Sequence, residues 1–473
     1  MIIKGNGELY MISNDSLDRQ NKELRKWIIG TGILFSIISL FGPNPLLCTI
    51  SFITLYFITK SLFISRFTVG FFFAYFYQWT QISIKPLFCT VSFINIKEYT
   101  KFPDEIITAF VLSSFGLVII SYAIGLTLRK FSFNDKMIIT RLNEINFVKL
   151  LIAYATIGFV AGLIPSILQQ FAVQFVALKW GLFYLLFMSG IQINKYRWIL
   201  FIIIIFEFVL GFASYFASWK VILFYTILGF FSVFKLNSKI IMVAVGMMIP
   251  LIYFAIFWTG VKGEFRHYIS QGQGQQMLVS KSEALAKIQD LQNSFTVTDK
   301  IQRSFIDRMS YIDYFSSCIS YVPSQQPHEN GQLTVDAIKH VLMPRIIFKS
   351  KGIIDESSHL TKYTGVFYSN YSMGVSFSLG YFGDLYVDFG PIGMMIAIFS
   401  IGYLIGLLFI SIYNRIDCPV LGIALLQMSF LLLYKFEISL LKLIGTLITF
   451  WILYYILAKW GFPQLSKWIF DEK

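Results

Sequence analysis

The chain has 473 residues, of which 56% are hydrophobic and only 14% are charged, and its mean hydropathy is +0.66. Soluble domains carry about 25% charged residues, so this composition excludes an ordinary soluble domain. The formal net charge of +13 does not indicate a nucleic-acid partner, because the basic residues flank apolar runs. The four cysteines have no disulfide or metal-ligand spacing, and we infer neither a disulfide nor a zinc site.

In chain order, a polar tail (residues 1–26) precedes a long series of apolar runs. A membrane-spanning helix needs about 20 such residues. The runs lie at about 27–41, 45–64, 67–93, 105–128, 146–164, 171–190, 198–216, 220–236, 239–260, 387–412, 418–434 and 440–459. We therefore predict an all-α polytopic membrane protein with about twelve transmembrane helices. It is divided into a tail (1–26), nine helices (27–260), one large outer segment (261–386), three helices (387–460) and a second tail (461–473).

The distribution of basic residues predicts the orientation. With the N-terminus in the cytoplasm, the inner segments carry 20 Lys and Arg, whereas the short outer segments carry six. The six outer residues are Lys85, Lys97, Lys101, Lys220, Lys435 and Lys442. Short cytoplasmic loops are enriched in Lys and Arg, so both termini are predicted to be cytoplasmic and the outer segment to face outward. A polar N-terminal stretch of this length is not typical of a cleavable signal peptide.

The outer segment is the only long polar stretch, and it holds all four histidines of the chain. Apolar periodicity predicts three short helices in it, at Gln276–Leu291, Ile301–Ile319 and Leu333–Met343. The composition of residues 324–332 predicts a loop between the second and third of these helices.

Several charged residues at the edges of the outer segment are candidates for chemistry. Lys262 and Arg266 are four residues apart and so share one helix face, and His267 follows them. Further candidates are Arg308, Arg345, Lys349, Lys351, Asp384 and Tyr386. Each cation taken alone is typical of a headgroup anchor or a solvated charge, but a set of them suits a diphosphate. His267 is either a base near neutral pH or an interfacial residue bonded to the backbone.

Known catalytic motifs are absent from the sequence. It has no GxxxxGK[ST] phosphate-binding loop, no GxSxG nucleophile elbow and no HExxH zinc motif. This argues against an ATP-driven pump, a serine hydrolase and a zinc protease. The remaining histidines have no metal-ligand spacing either, and we predict no metal and no cofactor.

Four short stretches carry a resemblance to a known family. They are KGEFR (262–266), DRMSYIDYF (307–315), PRIIFKSKG (344–352) and GDLYVDFGPIG (383–393). Together with many apolar runs and one late outer segment, they resemble the Wzy-type oligosaccharide repeat-unit polymerases of O-antigen and capsule synthesis. The resemblance covers roughly residues 262–393.

The resemblance implies a fold like that of the GT-C glycosyltransferases and a site at the outer face of the bacterial plasma (inner) membrane. A glycan on undecaprenyl diphosphate would be transferred to the end of a second lipid-linked repeat unit. The diphosphate would be held by Lys262, Arg266, Arg308, Arg345 and Lys351. Asp384 or His267 would take the proton of the acceptor hydroxyl, and Tyr386 would contact the acceptor. A chain-length-regulating membrane protein is a further implied partner.

Two other classes of protein remain open. A ligase that moves a finished glycan to another lipid has a similar layout, and the sequence separates it poorly from a polymerase. A transporter or flippase would place polar residues at the membrane midplane and often contains repeats. This chain shows no evident repeat and concentrates its polar residues in the outer segment.

One pair of opposite charges lies within the apolar runs. Lys179 is midway along the sixth run and Glu207 midway along the seventh, on either side of a short connection near Asn194. At 1.5 Å per residue both lie about 20 Å from that turn. An unpaired charge at this depth is costly, so we predict a Lys179–Glu207 ion pair.

Overall fold

The computed structural model describes residues 14–131, 133, 135–165, 168–192, 196–212, 219–234, 237–272, 277–343, 348, 355–368 and 376–471. These residues form helices and connecting loops, with no β-strand among them. The predicted all-α fold is therefore confirmed for the part of the chain that the structure describes.

Eleven helices precede or begin the outer segment. They are α1 (Asn14–Leu40), α2 (Leu47–Leu62), α3 (Val69–Val91), α4 (Ile96–Tyr99), α5 (Ile106–Leu128), α6 (Asp135–Glu144), α7 (Phe147–Leu163), α8 (Gln169–Gln192), α9 (Arg197–Phe212), α10 (Lys220–Val233) and α11 (Ser238–Ser270).

Five helices lie within the outer segment and five form the C-terminal part. The first five are α12 (Lys281–Ser294), α13 (Asp299–Met309), α14 (Ile312–Tyr321), α15 (Gln332–Leu342) and α16 (Glu356–Thr364). The others are α17 (Tyr381–Tyr413), α18 (Pro419–Gln427), α19 (Ser429–Leu433), α20 (Leu440–Ile456) and α21 (Phe462–Ile469), with a π-helical turn at Leu457–Gly461 between the last two.

Within the described residues, four helices are long and apolar enough to cross a membrane. They are Ile106–Leu128, Gln170–Ile191, Tyr381–Tyr413 and Leu440–Ile469. A fifth span results if Met137–Glu144 and Phe147–Leu163, bent by 84°, count as one. The chain thus has the helices of a membrane protein.

The predicted number of about twelve spans is not supported by helix length and composition. Each predicted apolar run overlaps a helix, but the helices Leu47–Leu62, Lys220–Val233 and Pro419–Leu433 are shorter than a full crossing. A run of apolar residues predicts that a helix is present, but it does not predict where the helix ends, because the turns between these helices are apolar too.

The closest packing in the helical core joins α17 to α5. Gly402 and Gly406, one turn apart on α17, face α5, and a Cβ added at Gly406 would lie 1.7 Å from Thr127 Oγ1. Small residues let helix backbones approach closely in membrane proteins. These two glycines therefore set the distance between the two long apolar helices.

A polar face of α3 holds the outer segment. Gln81 is 4% exposed and Lys85 is 0% exposed. The Gln81 side-chain amide donates to Glu437 Oε2 at 2.6 Å. Lys85 forms ion pairs with Asp313 and, at 3.0 Å, with Asp307. A buried charge needs such partners, so α13 and α14 are fixed to the helical core through Lys85.

The helices of the outer segment partly match their prediction. The third predicted helix is confirmed as α15, and the first corresponds to α12, which begins at a capping box formed by Ser280 and Glu283. The predicted single helix Ile301–Ile319 is wrong, because α13 ends at Met309 and α14 begins at Ile312. At the break, the Tyr311 N–H donates to the Gln81 carbonyl at 3.1 Å instead of continuing the helical ladder.

The predicted Lys179–Glu207 pair is confirmed. Lys179 Nζ lies 2.6 Å from Glu207 Oε1, and the Tyr154 hydroxyl donates to the same oxygen. The three residues come from α8, α9 and α7, so one carboxylate ties three helices together. Lys179 also lies 4.9 Å from the centre of the Trp180 ring, which adds a favourable cation–π contact.

Candidate active site

The candidate site is built around Asp384, in the first turn of α17. Its side chain is 6% exposed, and both of its oxygens are used. Oδ1 lies 3.0 Å from His359 Nε2, and Oδ2 accepts the Leu440 N–H at 2.8 Å. A carboxylate placed at the start of α20, among its free N–H groups, is favoured by the helix dipole. The starts of α17 and α20 and the helix α16 therefore meet at this one carboxylate.

His359 is the part of this pair that solvent can reach, because its side chain is 30% exposed. A carboxylate only accepts hydrogen bonds, so the Nε2–H of His359 donates to Asp384, and Nδ1 is the nitrogen left for another partner. Burial by itself lowers the pKa of His359, but the hydrogen bond and charge of Asp384 outweigh it. The net effect raises the pKa above its ordinary value. An imidazole oriented by a carboxylate is the arrangement of a general base.

A second carboxylate, Glu356, lies beside this pair at the start of α16. It is 7% exposed, forms an ion pair with Lys442 and accepts the Ser439 hydroxyl. Its negative charge also helps to raise the pKa of His359. Ser439 and Lys442 belong to the first turn of α20, so Glu356 and Asp384 both bind to the start of that helix.

Glu329 marks the outer edge of the site. It forms an ion pair with Lys362 at 2.9 Å and accepts the Tyr363 hydroxyl at 2.6 Å. The hydrogen bond from Tyr363, followed by that from Lys362, lowers the pKa of Glu329. Tyr363 in turn packs edge-on against His359, with ring centres 4.9 Å apart, and so limits how that imidazole can rotate.

Asp388, one turn after Asp384, has a structural role. It is 0% exposed, and its oxygens accept the N–H groups of Leu333 at 3.0 Å and Thr334 at 2.8 Å. These are free N–H groups at the start of α15, so Asp388 caps that helix from a distant part of the chain. Two residues later, Gly390 has φ +66° and breaks α17 before Pro391.

A family profile matches residues 56–462, which is most of the chain. The chain belongs to the family described as "Domain of unknown function (DUF8712)". No curated protein and no solved structure matches it significantly. Both the outer segment and the helices around Asp384 lie inside the DUF8712 match.

In this DUF8712 chain, the candidate residues on α11 lie in a region separate from Asp384. Lys262 and Arg266 are partly buried and His267 is exposed. This end of α11 packs against α12 in a second apolar cluster that includes Phe265 and Ile269. Among the described residues, no hydrogen bond or ion pair joins His267 to Asp384. Geometry therefore favours His359 over His267 as the partner of Asp384.

The other predicted site residues fall into three groups. Arg308 on α13 has exposed surface, but its guanidinium is partly enclosed, and this desolvation lowers its pKa. Tyr386 is 6% exposed, and its hydroxyl donates to the Val322 carbonyl at 3.2 Å. Arg345 and Lys351, together with Lys349, lie outside the described residues.

Sequence reasoning missed the role of His359, Glu356 and Lys442. The helix α16 that carries the first two was not predicted, although Asp355 followed by Glu356 is a helix-start signal. Asp355 indeed accepts the N–H groups of Ser357 and Ser358. Within the described residues, no group of three or more His, Cys, Asp or Glu side chains is arranged to hold a metal ion.

Proposed function

We propose that this chain is an outer-face glycosyltransferase that polymerises lipid-diphosphate-linked oligosaccharide repeat units. The observation that carries the proposal is the His359–Asp384 pair, with 3.0 Å between Nε2 and Oδ1. It lies at the start of an apolar helix long enough to cross a membrane. A base in this position suits a substrate whose lipid part lies in the bilayer and whose glycan lies outside it. GT-C glycosyltransferases carry out this kind of lipid-phosphate-dependent transfer.

In the proposed reaction, the acceptor is a hydroxyl of the terminal sugar of one lipid-linked unit. His359 Nδ1 takes the hydroxyl proton as the oxygen attacks the anomeric carbon of the donor sugar. The bond from that carbon to the diphosphate oxygen breaks, and the lipid diphosphate leaves with the electron pair. Asp384 does not take the proton; it orients the imidazole and stabilises the imidazolium that forms.

The proposed topology is supported by ion pairs between residues that the sequence assigns to the same side of the membrane. Lys85 and Lys442, assigned to the outer side from the sequence, form ion pairs with Asp313 and Glu356 of the outer segment. Lys149, assigned to the inner side, pairs with Asp471 of the C-terminal tail. We propose a multi-pass protein of the bacterial plasma membrane with cytoplasmic termini and an outward-facing outer segment.

The surface glycan of a deletion strain tests the proposal. A ladder of polymer lengths that collapses to a single repeat unit is expected, with recovery by the intact chain and none by His359→Ala. Loss of all glycan from the final lipid would identify a ligase instead. An unchanged ladder in the deletion strain would reject transferase activity of either kind.

A further inference from the structure

Three cations from three separate elements meet on the side of the protein assigned to the outside. Lys220 is the first residue of α10, Arg308 lies on α13, and Lys435 lies between α19 and α20. The ammonium groups of Lys220 and Lys435 lie 6.0 Å and 5.5 Å from the centre of the same Tyr434 ring. That ring packs edge-on against Tyr77, with centres 5.3 Å apart.

Arg308 belongs to the same cluster. It stands between Asp307, which forms an ion pair with Lys85 of α3 at 3.0 Å, and Tyr311, and its charge is close enough to act on that of Lys220. Tyr311 is fixed to α3, because its N–H donates to the Gln81 carbonyl at 3.1 Å. Lys220, Arg308 and Lys435 all have exposed surface that a solute can reach, while Lys220 and Arg308 are also partly enclosed, so each of these two charges loses some of its hydration. We refer to these three residues as the cation cluster.

The cation cluster is only partly neutralised by the protein. Among the described residues, no ion pair joins any of its three members to a carboxylate. Glu437, whose carboxylate accepts from Gln81 at 2.6 Å, is close enough to influence Lys220 and offsets one of the three positive charges. Lys220 also stands at the start of α10, the positive end of the helix dipole, where a cation is unfavourable. Three like charges at such a place destabilise the protein unless an anion joins them.

We propose that the cation cluster is a binding site for a phosphate or diphosphate group, with Lys220, Arg308 and Lys435 as its ligands. Three positive charges beside Glu437 leave a surplus that matches a group of about −2, the charge of a phosphate ester at neutral pH. Arg308 can bind such a group through two N–H donors, while the lysines act as point charges. This inference deepens the proposed function by naming residues that bind the substrate. It rests on the proposed function in one respect, which is that the anion is the diphosphate headgroup of a lipid.

Binding to the purified full-length protein in detergent tests the site without any need for turnover. The probes are inorganic pyrophosphate and geranylgeranyl diphosphate, each titrated by calorimetry. The variants are Lys220→Gln, Arg308→Gln and Lys435→Gln, and the matched control is Lys101→Gln, another exposed lysine assigned to the outer side. Each cluster variant is expected to weaken binding by about tenfold or more, whereas the control retains the affinity of the wild type.

The outcomes separate the site from its ligand source and from the proposed reaction. Variant-sensitive binding of both probes supports a general phosphate site, and binding of the prenyl probe alone supports a lipid headgroup. No binding by the wild type, or equal binding by wild type and variants, overturns the proposal. If Arg308→Gln does not fold, Lys435→Gln in an exposed loop still decides it. His359→Ala is expected to lose transfer but keep binding of the probes. If the wild type binds the probes but shows no transferase activity, only the proposed function is rejected and the binding site stands.

Discussion

At the scale of single residues, the chemistry of this chain depends on how carboxylates are partnered. Asp384 has hydrogen bonds to both oxygens and is almost fully buried, so it is poorly placed to accept a proton from a substrate itself. His359 is partly exposed and held by that carboxylate. The sequence indicated Asp384 as a candidate base, and the geometry favours the imidazole beside it for that proposed role.

The proposed role of His359 as a general base, together with its raised pKa, predicts the pH dependence of transfer. A general base acts in its neutral form, so activity is expected to rise with pH through a midpoint above the ordinary histidine value of about 6.5. Asp384→Asn removes the main group that raises this pKa and should move the midpoint to lower pH while also lowering the maximal rate. Initial rates measured from pH 5 to 9 test this. A midpoint that is identical in wild type and Asp384→Asn would contradict the assignment.

The Lys179–Glu207 pair provides a second test at this scale. Glu207→Gln leaves Lys179 without its counter-ion at membrane depth and should destabilise the protein by about 2–4 kcal/mol, since both side chains keep some exposure. Lys179→Met combined with Glu207→Gln removes both charges and should restore much of that loss. Thermal melting of the purified variants measures the effect. A double variant less stable than Glu207→Gln alone would show that the pair is not the cause. If the double variant folds but makes no polymer, the pair also has a role in function.

At the scale of elements, local signals predicted helices well and their ends poorly. The apolar periodicity of Leu333–Met343 was enough to predict α15, because the whole pattern lies within that one helix. The break after Met309 was not visible, because its cause is a hydrogen bond from Tyr311 to the Gln81 carbonyl, far away in the sequence. The helix α16 was missed because it is short and mainly polar, so it has no apolar period to detect.

Capping of α15 by Asp388 is testable at the same scale. Asp388→Ala leaves the first N–H groups of α15 without an acceptor inside the protein. It should lower the free energy of unfolding by about 2 kcal/mol and speed amide exchange in α15 first. Lys339→Ala, a change at an exposed position on α15 itself, is the control. Equal exchange rates in the two variants would argue against a capping role.

At the scale of the whole molecule, the sequence predicted an all-helical membrane protein but not the assembly of its site. The site joins residues of α16, α17 and α20, and the cation cluster joins residues of α10 and α13 with the loop before α20. Each member is a common surface residue when considered alone. The members are brought together by the packing of the apolar helices. Composition and apolar periodicity do not predict which helix packs against which.

The orientation of the whole chain can be measured directly. A reporter that is active only outside the cytoplasm, fused after Gln332, should be active because Gln332 lies within the outer segment, which is proposed to face outward. The same reporter fused after Arg141 should be silent, since that residue lies in a positively charged inner segment. The opposite pair of results would reverse the proposed topology.

The break at Gly390 has a consequence for how the site at His359 and the helix α15 are coupled. The short first part of α17 carries Asp384 and Asp388, one helical turn apart, and the long remainder follows the break. A change of tilt at Gly390 would therefore move the partner of His359 and the cap of α15 together. By thermodynamic linkage, a ligand that engages His359 is expected to alter the local unfolding of α15. Slower amide exchange in α15 on substrate binding would then report occupancy from a helix that does not carry the imidazole.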